Sequence, residues 1–217
     1  MNALTHGYTN LTEQRGSVVR KSYLGPDAEA RRRTERSVLV ELRDRFPVPP
    51  LSPGTERDLR TAYVRGVPGR VAVDAGLAER VLALCGRLRR ELDALDVPGL
   101  PGTGAVVHGD FGPQNLIVTP TADAAVAVVD WEWCRRGDPV DDLAWAEWTV
   151  RLHHPDAIAA VDALYAAYGR RAKWSVRHEA MMATCHRNRD FCARGGDCAG
   201  VAVWDDRIAR TAGFRDR

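Results

Sequence analysis

At 217 residues the chain is long enough to bury a substantial core in one or two small domains, and its 45% hydrophobic and 28% charged content is ordinary for a soluble globular protein. A formal charge of +2 is too small to argue for a nucleic-acid partner; no apolar run approaches a membrane span, and the N-terminus lacks the basic-then-apolar layout of a signal peptide. A cytoplasmic protein is therefore expected. The cations are almost wholly arginine, Lys21 and Lys173 being the exceptions, and Arg31-Arg32-Arg33 on a helix reads as a solvated face.

In chain order, Leu4 to Asn10 and Ser17 to Tyr23 read as strands or strand ends, with Gly16 marking the turn between them. Pro26-Asp27 opens a helical pattern that runs to about Arg45, closed by Pro47 and Pro49-Pro50. On it Glu35, Leu39, Leu42 and Phe46 fall at intervals of four, three and four, so a carboxylate sits on an inward stripe and needs a cation. Glu29 lies off that stripe. Leu59 to Val64 is another short strand. Leu77, Val81, Leu84, Leu88, Leu92 and Leu95 then make an amphipathic helix that Pro98-Gly99 ends. Three short apolar strands follow at Ala105–Val107, Leu116–Val118 and Val126–Val129. After Pro139 the pattern is helical again, with Ile158, Val161, Tyr165 and Tyr168 on one face and a further helix over Ser175 to Ala193.

The chemistry-bearing stretch lies between the short strands. His108-Gly109-Asp110 follows one apolar run, Asn115 comes five residues after Asp110, and Asp130 closes the next apolar segment. Phosphoryl transfer uses such parts: a carboxylate to orient a substrate hydroxyl and accept its proton, and an amide oxygen with a second carboxylate to hold magnesium on a triphosphate. Asp residues that merely cap turns explain Asp138 well, but explain the joint spacing of Asp110, Asn115 and Asp130 poorly.

His108-x-Asp110-x4-Asn115 followed by Asp130-Trp131-Glu132, Gly137-Asp138-Pro139 and Asp142-Leu143-Ala144 resembles the aminoglycoside phosphotransferase and choline kinase family of small-molecule kinases. The resemblance implies an α+β, protein-kinase-like fold, with a small nucleotide-binding lobe over residues 1–65 and a mostly helical catalytic and substrate lobe over 66–217. It implies Asp110 as catalytic carboxylate, Asn115 and Asp130 as Mg2+ ligands, His108 as a brace, and ATP or GTP as phosphate donor. Gly7-Tyr8-Thr9-Asn10 resembles the family's turn over the phosphates, with Gly7, Thr9 and Asn10 as contacts. A cation after Val18-Val19 would reach the phosphates and pair with Glu35. Direct register points to Arg20, with Lys21 on the opposite strand face, and a one-residue slip exchanges them. Glu132, beside the metal Asp, reads equally as an exposed loop residue. The loop order Phe111-Gly112-Pro113-Gln114 departs from the family's usual His-Pro-Gly, and the N-terminal lobe is short.

The implied activity is ATP-dependent O-phosphorylation of a small-molecule hydroxyl, on an aminoglycoside-like antibiotic or an amino alcohol, with no nucleic-acid or membrane partner. Asp138, Asp141, Glu147, Asp197 and Asp205 are candidates for an acidic pocket. A nucleotide-binding pseudoenzyme serving as a regulatory or scaffold module is the alternative. A third reading, a zinc module on Cys185, Cys192 and Cys198 with His178 and His186 nearby, lacks a C-x2-C pair, and buried unpaired thiols fit those cysteines better.

Overall fold

The computed structural model describes residues 2–3, 10–55 and 58–216. Gly7 and Thr9 lie outside the described residues. An antiparallel sheet opens the chain in the order β1 (Asn2–Ala3), β2 (Asn10–Arg15), β3 (Val18–Tyr23), β4 (Asp58–Ala62). Of the strand expected over Leu4 to Asn10, residues 4–9 lie outside the described residues, and β2 begins at Asn10. Its sequence carries a single large apolar residue, Leu11, which is exposed, so no hydrophobic alternation marks it. Backbone pairing to β3 defines it instead, with Thr12 opposite Lys21 and Glu13 opposite Arg20.

Helix α1 (Ala28–Glu41) turns Arg31, Glu35, Val38 and Leu39 inward. It stops short of the expected Arg45, because Asp44 takes a left-handed φ of 61° that a helix cannot hold. Leu42 and Phe46 remain buried in the turn that follows. Arg31 corrects the expectation of a solvated arginine run: it is buried, whereas Arg33 is exposed and pairs with Glu29 one turn away.

Past β5 (Val67–Pro68) and the single turn α2 (Gly69–Ala72), helix α3 (Ala78–Leu92) buries Val81, Leu84, Cys85, Leu88 and Leu92 along one side, as its periodicity requires. Four short strands follow: β6 (Ala105–Val107), β7 (Leu116–Val118), β8 (Ala125–Val128) and β9 (Arg135–Gly137). They form two small antiparallel sheets, β5-β7-β8 and β6-β9. Four helices complete the chain: α4 (Val140–His153), α5 (Val161–Tyr168), α6 (Trp174–Arg194) and α7 (Cys198–Ala212). The last has only Thr211 fully buried, which left no apolar stripe to read from sequence.

Gly86 permits the close crossing of α3 and α5, since a Cβ there would stand 2.2 Å from the Leu164 carbonyl oxygen. One apolar core runs from Tyr23, Val38 and Leu39 through the α3 stripe to Trp131, Val161 and Tyr165. A second gathers Trp145, Trp148, Met181 and Cys185 between α4 and the last two helices. Helix α4 is buried nearly all round, as a central helix must be. Its two buried carboxylates are therefore paired: Asp142 with Arg89 at 2.6 Å, and Glu147 with Arg177, Arg151 and the Tyr165 hydroxyl. Among the described residues no helix is long and apolar enough to cross a membrane.

Candidate active site

The loop after β6 carries Asp110, and backbone bonds hold that loop from two sides. The Asp142 carboxylate accepts the His108 and Gly109 backbone N–H groups at 2.9 and 3.0 Å. The buried His108 ring spans the gap to the opposite strand end: Nδ1 accepts the Asp110 N–H at 3.2 Å, and Nε2 lies 3.0 Å from the Val129 carbonyl oxygen. An N–H must face a carbonyl, so this pair of contacts selects the neutral Nε2–H tautomer. Gly109 has φ 84°, and a Cβ there would stand 2.5 Å from the Trp133 carbonyl oxygen, so no other residue fits.

Asp110 is itself aimed by three side chains. Trp145 Nε1 donates to Oδ1 at 2.6 Å and Gln114 Nε2 at 3.1 Å, while Asn115 Nδ2 donates to Oδ2 at 2.8 Å. Oδ1 is thus doubly engaged, and Oδ2 keeps acceptor capacity for an incoming hydroxyl. Removal from water, and then the Asp130 charge, raise the Asp110 carboxyl above the ordinary range, with the hydrogen bonds from Trp145 and Gln114 opposing.

Asn115 and Asp130 meet through the β7–β8 ladder. Leu116 pairs with Val128, and the Val129 N–H donates to the Asn115 carbonyl at 2.9 Å. Asp130 then takes a left-handed conformation, φ 68° and ψ 58°, sparsely populated for any residue with a Cβ and concentrated at functional sites. Burial alone would raise its carboxyl, but Lys21 more than reverses this and holds it below the usual range.

Lys21 Nζ stands 2.5 Å from Asp130 Oδ1, 2.6 Å from Glu35 Oε2 and 3.4 Å from Glu132 Oε2. Burial disfavours its charge, but the three carboxylates overcome this and raise its pKa. Glu35 also accepts from the Tyr23 hydroxyl at 2.5 Å and the Trp131 N–H at 3.3 Å, tying α1 to the turn after Asp130. The expected Arg20–Glu35 pair is corrected here. Arg20 points to the other face of β3 and bonds Asp58 at 2.8 Å, while Lys21 shares the inner face with buried Tyr23.

Glu132 is buried and not a loop-surface residue. Asn10 Nδ2 donates to both its oxygens at 3.0 and 2.9 Å, and Arg31 Nη1 to Oε2 at 2.9 Å. Glu35, Asp130 and Glu132 make the one cluster of three candidate metal ligands among the described residues. The three C-terminal cysteines do not form such a cluster: Cys185 is buried near Thr211, Cys192 is half-buried and Cys198 is exposed.

Residues 98–180 match the model of the Phosphotransferase enzyme family. Viomycin phosphotransferase of Streptomyces vinaceus is 48% identical over 62 residues, 27% of this chain and 21% of that protein. A probable acyl-CoA dehydrogenase of Arabidopsis thaliana is 36% identical over 59 residues, again 27% of this chain but 7% of that protein. Both matches thus span a minor share of the relative's length. The fold extends further. The structure of a GDP complex of aminoglycoside 2'-phosphotransferase-IIIa superposes with a TM-score of 0.77, at 12% identity, over 98% of this chain and 92% of that one. The architecture is protein-kinase-like, α+β with a small N-terminal sheet and a mostly helical remainder.

The matched segment contains Asp110, Asn115 and Asp130; Asn10, Lys21, Arg31 and Glu35 come to it from outside the segment. Sequence reading missed Trp145 and the loop-anchoring role of Asp142. The Asp142-Leu143-Ala144-Trp145 run was a usable signal, because it puts an aromatic N–H donor one helical turn after an acid. Asp142→Ala would orphan two backbone N–H groups and remove a partner from the fully buried Arg89. A loss of about 3–5 kcal/mol of unfolding free energy is expected, read by urea denaturation.

Proposed function

We propose that this chain transfers the γ-phosphoryl group of ATP, or of GTP, to a hydroxyl of a small molecule. The observation that carries the reading is the convergence of Asp110, Asn115, Asp130 and Lys21 from separate elements. The nucleotide is held between residues 1–65 and residues 66–217, as ligands commonly are between packed units. In the reaction the acceptor oxygen forms a bond to Pγ, the bond from Pγ to the β–γ bridging oxygen breaks, and the hydroxyl proton passes to Asp110. ADP or GDP and a phosphate ester leave.

The donor set fits magnesium. Asp130 supplies a carboxylate held ionised by Lys21, and Asn115 commits its Nδ2 to Asp110, which leaves Oδ1 as the amide atom free to ligate. A hard divalent cation bound there would neutralise charge on the β- and γ-phosphates. Lys21, ordered by Glu35, supplies a fixed positive charge beside them, and Asn10 anchors the start of β2 to Glu132. Asp110 orients the hydroxyl; Trp145 and Gln114 orient Asp110. Because phosphoryl transfer proceeds through a loose transition state, this positioning matters more than early proton removal.

Relatives named for antibiotics support a small-molecule alcohol as acceptor. A coupled assay of nucleotide turnover, run with magnesium over a panel of alcohols, tests the proposal. Acceptor-dependent ADP or GDP release, with one phosphate appearing on the acceptor per nucleotide consumed, is expected. Failure of the protein to bind either magnesium–nucleotide by calorimetry would reject it.

A further inference from the structure

Helix α6 forms a wall beside the catalytic loop. It packs along α4, whose Trp145 touches Asp110, and near its C-terminal end Phe191 stacks edge-on against Trp133 at 5.0 Å, in the turn that follows Asp130. Thr184, buried, and Phe191 bracket Arg187 on the same face, three residues after one and four before the other. The half-buried Arg187 guanidinium has Arg135, Asp141, Asp142 and Asp110 as its charged neighbours.

Its bonding is incomplete. Arg187 makes one hydrogen bond, Nη2 to the Thr184 hydroxyl at 3.1 Å, and no ion pair among the described residues. The neighbouring carboxylates are already taken: Asp141 by Arg135 at 2.7 Å, and Asp142 by Arg89 and two backbone N–H groups. A planar guanidinium with most of its N–H groups uncommitted matches a carboxylate or phosphate oxygen pair.

The carboxylates that sequence offered for a cationic acceptor are likewise engaged. Asp138 accepts the Val140 N–H, Glu147 is sealed among Arg177, Arg151 and Tyr165, Asp197 caps α7, and Asp205 pairs with Arg189. Beside these committed carboxylates, Arg187 keeps most of its N–H groups free to donate.

We infer that the acceptor is an alcohol that also carries an anionic oxygen group, bound by Arg187 while its hydroxyl faces Asp110. This rests on the phosphotransfer reading above and narrows its substrate away from aminoglycosides and amino alcohols.

Four probes of differing charge test it: glycerate, glycerol, ethanolamine and kanamycin, each assayed for acceptor-dependent nucleotide turnover with the wild-type protein, Arg187→Ala and Arg187→Glu. Glycerate should be the best acceptor of the four. Arg187→Ala should raise its KM by roughly 10- to 100-fold with little change in kcat, as expected for a lost hydrogen-bonded charge contact, and Arg187→Glu should do so more strongly. The neutral probe should be unaffected. Independently of turnover, glycerate should perturb the tryptophan fluorescence of the wild-type protein but not of Arg187→Ala, since Trp133 and Trp145 flank the site. Better turnover with ethanolamine or kanamycin, equal glycerate response in wild type and Arg187→Ala, or no glycerate response in either assay overturns the inference. A protein that binds glycerate through Arg187 but binds no magnesium–nucleotide would reject the kinase reading and keep the anion site.

Discussion

Asp110→Ala should lower kcat by about 10²-fold or more while nucleotide affinity stays within a few-fold of wild type. Loss of a positioned general base typically costs ~10²–10⁴ in rate, and this carboxylate does not hold the triphosphate. Alanine is a cleaner probe than asparagine. With Trp145 and Gln114 both donating to Oδ1, an introduced amide would have to place its NH2 where Oδ2 now accepts from Asn115, donor against donor at 2.8 Å. Alanine removes the acceptor altogether and leaves those donors unpaired, so thermal unfolding should be followed alongside the kinetics. Retention of more than about a tenth of wild-type kcat in a folded variant would contradict a base role for Asp110.

The second large effect concerns β3, and it separates two adjacent cations. Lys21→Ala should raise the nucleotide KM or lower kcat by roughly 10-fold or more, as for other charge-assisted contacts. Glu35→Ala should have a similar effect. The double variant should be little worse than either single one, because residues acting as a unit are not additive. Arg20→Ala should leave both constants within about two-fold, since Arg20 is turned to the other face of β3 and bonds Asp58 rather than Glu35 or Asp130. Calorimetric titration with magnesium–nucleotide gives the affinity, and steady-state kinetics the rest. A damaging Arg20→Ala beside a silent Lys21→Ala would mean that β3 presents its other face to the site.

The two adjacent cations illustrate why part of this site could be read from sequence and part could not. Asp110, Asn115 and Asp130 lie within one stretch of chain whose short strands β6, β7 and β8 are apolar runs bounded by turn residues. Strand ends position side chains locally, so linear spacing already carries the geometry. The α3 stripe and the inward face of α1, Glu35 included, were legible for a similar reason: a helix converts sequence interval into direction. Strand β3 offered no such clue. Val18 and Val19 are both apolar, Arg20 and Lys21 are both cationic, and every residue of the strand before Tyr23 is only half-buried. The inner face was decided by what α1 and the Asp130 turn placed opposite it, three carboxylates with which Lys21 alone of the pair makes contact.

The same holds for the residues that sequence reading set aside. Glu132 and Arg31 are 101 positions apart, and each alone looks like a surface charge. Only their meeting, with Asn10 on one side and Trp133 and Phe191 on the other, makes burial of both tolerable. Trp145 and Arg187 acquire their relation to Asp110 from the way α4 and α6 pack against one another. The sequence by itself therefore determined the chemistry available and the elements that carry it, because strands and helices are set by short-range periodicity. Which charge faces which was left to tertiary structure, because a buried ion pair is stable only where distant elements bring both partners out of water together.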